Sequence, residues 1–143
     1  MSITLHQIHA DWCIKIDRLT QKESVAKHLT PHRGEVWTCD FGQNVGSELN
    51  KVRPGVIIQN DIGNQNSPTT IVLPISHHTM RLPTHVDLSP TDFDDMESCL
   101  EGTILAEQLR VVSKARLGRY IGAVSREAML RIENSVLKAL AIK

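Results

Sequence analysis

Arg53, Ser76, His77 and His78 are among the residues of this chain whose types offer chemistry. A guanidinium presents a fixed fork of donors that matches the oxygens of a phosphate, and it stays charged at physiological pH. The plainer role for Arg53 is a surface arginine that opens a strand. The Ser76 hydroxyl can both donate and accept a hydrogen bond. At a strand end it can equally bond its own backbone. Imidazole is the side chain best poised for proton transfer near neutral pH. His77 and His78 are adjacent, so on a strand they point to opposite faces and at most one serves a given site. The simpler reading is that both are solvated loop residues. No Asp or Glu lies beside them at metal-binding spacing. Cys13, Cys39 and Cys99 are odd in number, widely spaced and without a CxxC pair. That pattern points to reduced thiols, not to a disulfide framework or a zinc site.

The elements that must hold these side chains read mainly as strands. Residues 34–41 alternate, with Trp37, Cys39 and Phe41 on one side. Residues 42–52 are polar and glycine-containing and read as a long loop. Residues 54–59 and 69–74 are short β-branched runs, separated by a cluster of turn formers in which Asn60 and Asp61 hold the turn by Asx-type bonds. Residues 84–88, 102–112 and 119–124 complete the strand set. Ser125 is a good N-cap, and Met129, Ile132, Val136 and Leu140 follow at helical spacing. Short strands, intervening turns and one closing helix predict an α+β, mainly β chain: a small barrel with a packed C-terminal helix.

Residues 1–31 differ. Leu5, Ile8, Trp12, Ile16 and Leu19 draw one apolar stripe on a helix. Thr20 and Glu23 have capping-box spacing for a second short helix, and Pro31 ends the segment. The chain therefore divides into an N-terminal helical extension, 1–31, and a barrel domain, 32–143.

The length, 143 residues, suits one domain with its own core. With aromatic residues at 3%, that core must be aliphatic, and few rings remain for stacking on bases. Sixteen basic residues balance sixteen acidic ones, so any nucleic-acid site must be a local patch without global steering. No apolar run approaches the roughly 20 residues that span a bilayer. No apolar signal-peptide core opens the chain. These features predict a cytoplasmic protein.

Residues 34–76 resemble the MazF/PemK/Kid family of toxin endoribonucleases. The resemblance rests on Arg33-Gly34-Glu35, then Gly46-Ser47-Glu48, then Arg53-Pro54 through Asp61, then Ser67-Pro68-Thr69 through Ser76. Residues 82–88 and 105–117 extend it over about 110 residues; each tripeptide is weak alone, and their order and spacing are specific. The resemblance implies an SH3-like small β-barrel, a homodimer, metal-free cleavage of single-stranded RNA without a cofactor, and inhibition by a cognate antitoxin that occupies the RNA groove. Arg53 matches the family's catalytic arginine, and Ser76 stands where the family has a catalytic threonine. Ser47, Glu48, Asn50 and Lys51 in the loop before Arg53, together with His77, Gln108 and Arg110, are the candidate RNA contacts. Glu107 and Gln108, on one strand, would face opposite ways, leaving one of them structural. A gyrase-targeting toxin or a non-catalytic binding module on the same barrel are the alternatives. The extension would either pack on the barrel or across the dimer, or lie over the RNA groove; its balanced charge favours packing.

Overall fold

The computed structural model describes residues 30–42, 51–77, 82–97 and 100–143. The helical stripe expected in the N-terminal extension lies outside the described residues, as do Ser47, Glu48, Asn50, His78, Cys13 and Cys99. The strands are β1 (Glu35–Asp40), β2 (Val52–Ile57), β3 (Thr69–Ser76), β4 (His85–Leu88), β5 (Phe93–Met96), β6 (Gly102–Leu105), β7 (Arg110–Ser113) and β8 (Leu117–Val124). Among the described residues two α-helices, α1 (Asp61–Asn66) and α2 (Arg126–Ala139), accompany them. The strands pair antiparallel in the order β4-β6-β3-β2-β1-β8-β5, and β7 joins β3 off that path. The fold is α+β: a curled antiparallel half-barrel with a C-terminal helix.

Alternation along the strands feeds two apolar clusters. Val36, Val56, Leu73, Ile75, Val86 and Ile104 face α2 and meet its Ala128, Met129 and Ile132. Cys39, Phe41, Ile57, Val72, Val112 and Leu117 form the cluster on the other face, with Trp37 packed against it. Both clusters are chiefly aliphatic, as the shortage of aromatic residues requires. The α2 N-cap is Ser125, whose hydroxyl accepts from the Ala128 amide at 3.1 Å. Met129, Ile132 and Val136 turn inward as their spacing predicts. Leu140 does not: it caps the helix end and is exposed.

Three expectations need correction. The stretch 60–66 is not merely a turn. Asn60 accepts from the Gly63 amide at 2.8 Å and N-caps the short helix α1. This is the anticipated Asx-type bond, extended into helix. The stretch 102–112 is not one strand. β6 pairs Ile104 with Ile75, whereas β7 pairs Arg110 with Val72. Six residues on one side thus span three on β3, and the surplus forms a 3-10 turn at Ala106–Gln108. The break falls beside Pro74, which has no amide to offer a ladder. Finally, β5 carries two aspartates and no alternating pattern, and pairing with β8 alone makes it a strand.

That pairing depends on a glycine. A Cβ on Gly122 would come within 2.3 Å of the Asp95 carbonyl oxygen. The 3-10 turn is held differently. The Glu107 carboxylate meets the buried His85 ring at 2.7 Å and the Thr84 hydroxyl at 2.9 Å. The Leu82 amide donates to His85 Nδ1 at 3.3 Å, so His85 Nε2 carries the proton given to Glu107. Glu107 is therefore the structural member of its pair. Partial burial alone would raise its pKa, but hydrogen bonds from His85, its own backbone and Thr84 together bring it below the usual 4.5.

Two tests follow from these contacts. Gly122→Ala should destabilise the fold by about 1–3 kcal/mol through overpacking at the β5–β8 junction, read as a lower urea midpoint with an unchanged slope. A carboxylate with a depressed folded pKa stabilises above its unfolded value and loses that contribution as pH falls through the folded value. Glu107→Gln should accordingly flatten the decline in melting temperature on acidification below 4.5. A wild-type slope in that variant would show that the carboxylate carries no such stabilisation.

Candidate active site

The β2–β3 ladder pairs Ile57 with Val72, Val56 with Leu73 and Gly55 with Pro74. The same register continued by two residues sets Arg53 directly opposite Ser76. Opposite residues in an antiparallel pair share a face. The side chains do meet: Arg53 Nη1 donates to Ser76 Oγ at 3.2 Å. The two residues that the sequence singles out, 23 positions apart, are one unit in space. Ser76 is 8% exposed and Arg53 is half-buried, so the pair sits at the rim of the sheet's second face.

Neighbouring strands extend the row. Cys39 of β1 lies opposite Arg53, Thr103 of β6 opposite Ser76, and Asp87 of β4 opposite Thr103. Thr103 Oγ1 donates to Asp87 Oδ1 at 2.9 Å. Thus one face carries a thiol, a guanidinium, two hydroxyls and a carboxylate across five strands. Burial raises the Cys39 pKa to about 12; Arg116 and Arg110 oppose the shift and Asp40 adds to it. The thiol stays protonated and is no nucleophile at neutral pH.

Lys51 is placed by the loop's closure. The Lys51 amide donates to Gly42 O at 2.8 Å, and the Phe41 amide donates to Lys51 O at 3.0 Å. Gly42 and Lys51 both take left-handed backbone, with φ of 72° and 71°. For lysine this is an uncommon conformation, held by the two closing hydrogen bonds. It leaves the Lys51 side chain exposed, two residues from Arg53.

Arg110 pairs with Val72, on the same face as Ser76, and its guanidinium lies 5.0 Å from the Phe41 ring centroid. Phe41 in turn lies against Gly55 of β2, where a Cβ would sit 3.6 Å from its ring. Phe41 is thus core and also a shelf for Arg110. Trp37 is half-buried, with its ring at 5.9 Å from Tyr120 in an edge contact. His77 follows the strand end and is exposed. Gln108 is half-buried in the 3-10 turn. Sequence reasoning missed Arg116, which donates to the Asp40 carbonyl at 3.0 Å and brings another positive charge beside Cys39. Only the β1–β8 pairing reveals it, since 76 residues separate it from Asp40. Arg53, Arg110 and Arg116 make the local positive patch that a neutral chain needs for an anionic ligand. Among the described residues, no three His, Cys, Asp or Glu side chains converge to hold a metal ion.

The profile of the PemK-like, MazF-like toxins of type II toxin-antitoxin systems matches residues 32–140. The chain is 38% identical over 112 residues to "Endoribonuclease EndoA" of Bacillus subtilis (strain 168), covering 77% of this chain and 94% of that protein. It is 38% identical over 107 residues to "Endoribonuclease MazF" of Staphylococcus epidermidis, covering 73% and 86%. Among solved structures, an endoribonuclease in complex with its cognate antitoxin from Mycobacterial species superposes with a TM-score of 0.66 at 25% identity, over 80% of this chain and 98% of that one. MazF of Deinococcus radiodurans, 16% identical, shares the fold with a TM-score of 0.67 over 78% and 97%. With that family profile spanning residues 32–140, most of the chain, the chain belongs to the PemK-like, MazF-like toxins of type II toxin-antitoxin systems.

Proposed function

We propose that this chain is an endoribonuclease toxin that cleaves single-stranded RNA at the Arg53–Ser76 pair. The observation that carries the reading is the 3.2 Å contact between the guanidinium and the hydroxyl, with Ser76 nearly buried beside a half-exposed Arg53. A scissile phosphate seated there would exchange that contact for hydrogen bonds to its own oxygens. The substrate's 2′-hydroxyl loses its proton and attacks phosphorus. The bond from phosphorus to the 5′-oxygen breaks, and that oxygen takes up a proton. The products are a 2′,3′-cyclic phosphate and a 5′-hydroxyl. Arg53 stabilises charge on the crowded phosphorus, a task suited to a group that never gives up its proton. Ser76 donates to a phosphate oxygen and accepts from the attacking hydroxyl. As the family resemblance implies, the pair meets the phosphate directly and the reaction runs without a metal or other cofactor.

Around this centre, Lys51, Arg110 and His77 hold backbone phosphates, and Ser47, Glu48, Asn50 and Gln108 read unstacked bases by their edges. The half-barrel is of the SH3-like kind, and the active protein is a homodimer. Its antitoxin covers the same positive face in the inhibited complex. The domain boundary falls at residue 31. No helix among the described residues is long and apolar enough to cross a membrane, and we place the protein with its RNA in the cytoplasm.

Purified protein should cleave a mixed-sequence RNA in EDTA at an undiminished rate. Loss of cleavage restored by a divalent ion would overturn the metal-free reading. Arg53→Ala should lower kcat by about 100- to 1,000-fold, as for loss of one oxyanion-type donor, with much less change in KM. Ser76→Ala should also slow the chemical step. Ser76→Thr should retain most activity, since threonine keeps the hydroxyl and only adds a methyl; an inactive threonine variant would show a pocket too tight for it.

A further inference from the structure

An apolar groove lies on the α2 side of the sheet, away from Arg53 and Ser76. Its volume is about 360 Å3, and Arg33, Ile58, Ile132, Glu133, Val136 and Leu137 line it. Leu137 and Leu140 continue the apolar surface beyond its wall and are 41% and 55% exposed. An apolar surface of this kind left in water is costly and normally has an occupant.

The start of the described chain forms part of that groove. The Arg33 amide donates to Asp61 Oδ1 at 2.8 Å, its Nε donates to the Ile58 carbonyl at 3.2 Å, and its guanidinium bridges to Glu133 at 2.9 Å. The described chain, which begins at residue 30, thus starts three residues before a side chain that lines the groove. The sequence of residues 1–29 carries a complementary feature, the stripe Leu5, Ile8, Trp12, Ile16 and Leu19. A helix over 5–19 would be about 22 Å long at 1.5 Å per residue. The 14 residues of α2 span nearly the same length. The ten residues from Thr20 to Leu29 reach about 15 Å as the short helix that their capping-box spacing predicts and up to about 33 Å when extended, so they can join a helix that folds back along α2.

We infer that the amphipathic segment 5–19 of this same chain docks its stripe into the groove between α2 and the β2–α1 connection. A second copy of the chain is the other candidate occupant, but that arrangement would leave the chain's own stripe, with Trp12, without cover. A short tether also gives the segment an effective concentration in the millimolar range at the groove.

Trp12 and Trp37 are the two tryptophans, so Trp37→Phe in the full chain leaves Trp12 as the sole reporter. Its emission should be blue-shifted relative to the unfolded chain and poorly quenched by acrylamide. Adding Leu137→Glu should move the emission to the red and raise quenching several-fold. Val111→Glu, at an exposed position on β7, should do neither. Amide hydrogen exchange on the full chain, without the Trp37 substitution, provides a second measurement: protection within residues 5–19 that Leu137→Glu abolishes. Both signals should stay constant over a 100-fold range of protein concentration. A solvent-like Trp12 and an unprotected segment would overturn the proposal. So would burial indifferent to Leu137→Glu, or burial that appears only as concentration rises, which would give the groove to a second copy.

Discussion

The position of the Arg53–Ser76 pair depends on a knot of buried amide and hydroxyl bonds around Asn64. The centre of the β2–β3 hairpin is apolar on both faces, since Val56 and Ile57 are each fully buried in different clusters, as are Leu73 and Val72. A one-residue slip would exchange valine for isoleucine or leucine at little cost, so hydrophobic patterning alone leaves the register loosely specified. The polar bonds at the closed end specify it. Asn64 Oδ1 accepts from Thr70 Oγ1 at 2.7 Å and from Gln59 Nε2 at 3.2 Å, while its Nδ2 donates to the Gln59 carbonyl at 3.0 Å. Gln59 also donates to the Thr69 carbonyl at 3.1 Å. Asn64 and Thr70 are wholly buried. A slipped hairpin would strand both without partners, at about 1–3 kcal/mol for each unsatisfied group. The knot lies at one end of the hairpin, and its consequence, Arg53 facing Ser76, lies at the other.

The same knot fixes the third strand of the site. Lys114 is 1% exposed, and its Nζ donates to the Asn64 carbonyl near the C-terminal end of α1. Its amide donates to the Pro68 carbonyl at 2.9 Å. Burial pushes the ammonium's pKa down, and the helix-end carbonyl is the kind of partner that favours its charge. Because Lys114 directly follows β7, this anchor sets where β7 runs along β3 and so where Arg110 meets Phe41.

The strands near the pair were legible because β-branched runs and turn formers alternate there, and because Arg53 and Ser76 fall at strand ends. The C-terminal helix was legible from its cap and its 3.6-residue stripe. What the chain concealed were features made by pairing and not by local preference. β5 is a strand only through its backbone contact with β8. The 3-10 turn at Ala106–Gln108 arises from a three-residue mismatch in register against β3, and its flanks on both sides still read as strand. Arg116 joins the site through a sheet contact with no local signature. The role of Glu107 was half legible. Alternation implied that one of Glu107 and Gln108 is structural, but only the buried His85 shows which, and the reason is the turn and not strand alternation.

The sheet divides its tasks between two faces. One is covered by α2 and carries the larger apolar cluster; the other carries the row from Cys39 to Asp87 and the three guanidiniums. Ile58, in the groove wall, packs with the α2-side cluster, whereas Arg53 shares the face of Ile57. An N-terminal segment seated in that groove would therefore lie behind the face that carries Arg53 and Ser76 and leave it open. From there it could stabilise the hairpin through Ile58 and Arg33, whose amide holds Asp61, a partner of Asn64 at 3.4 Å. The bonds of Arg33 thus run from the groove wall into the knot that sets the register, and the segment's influence on the Arg53–Ser76 pair would pass through stability and not through occlusion.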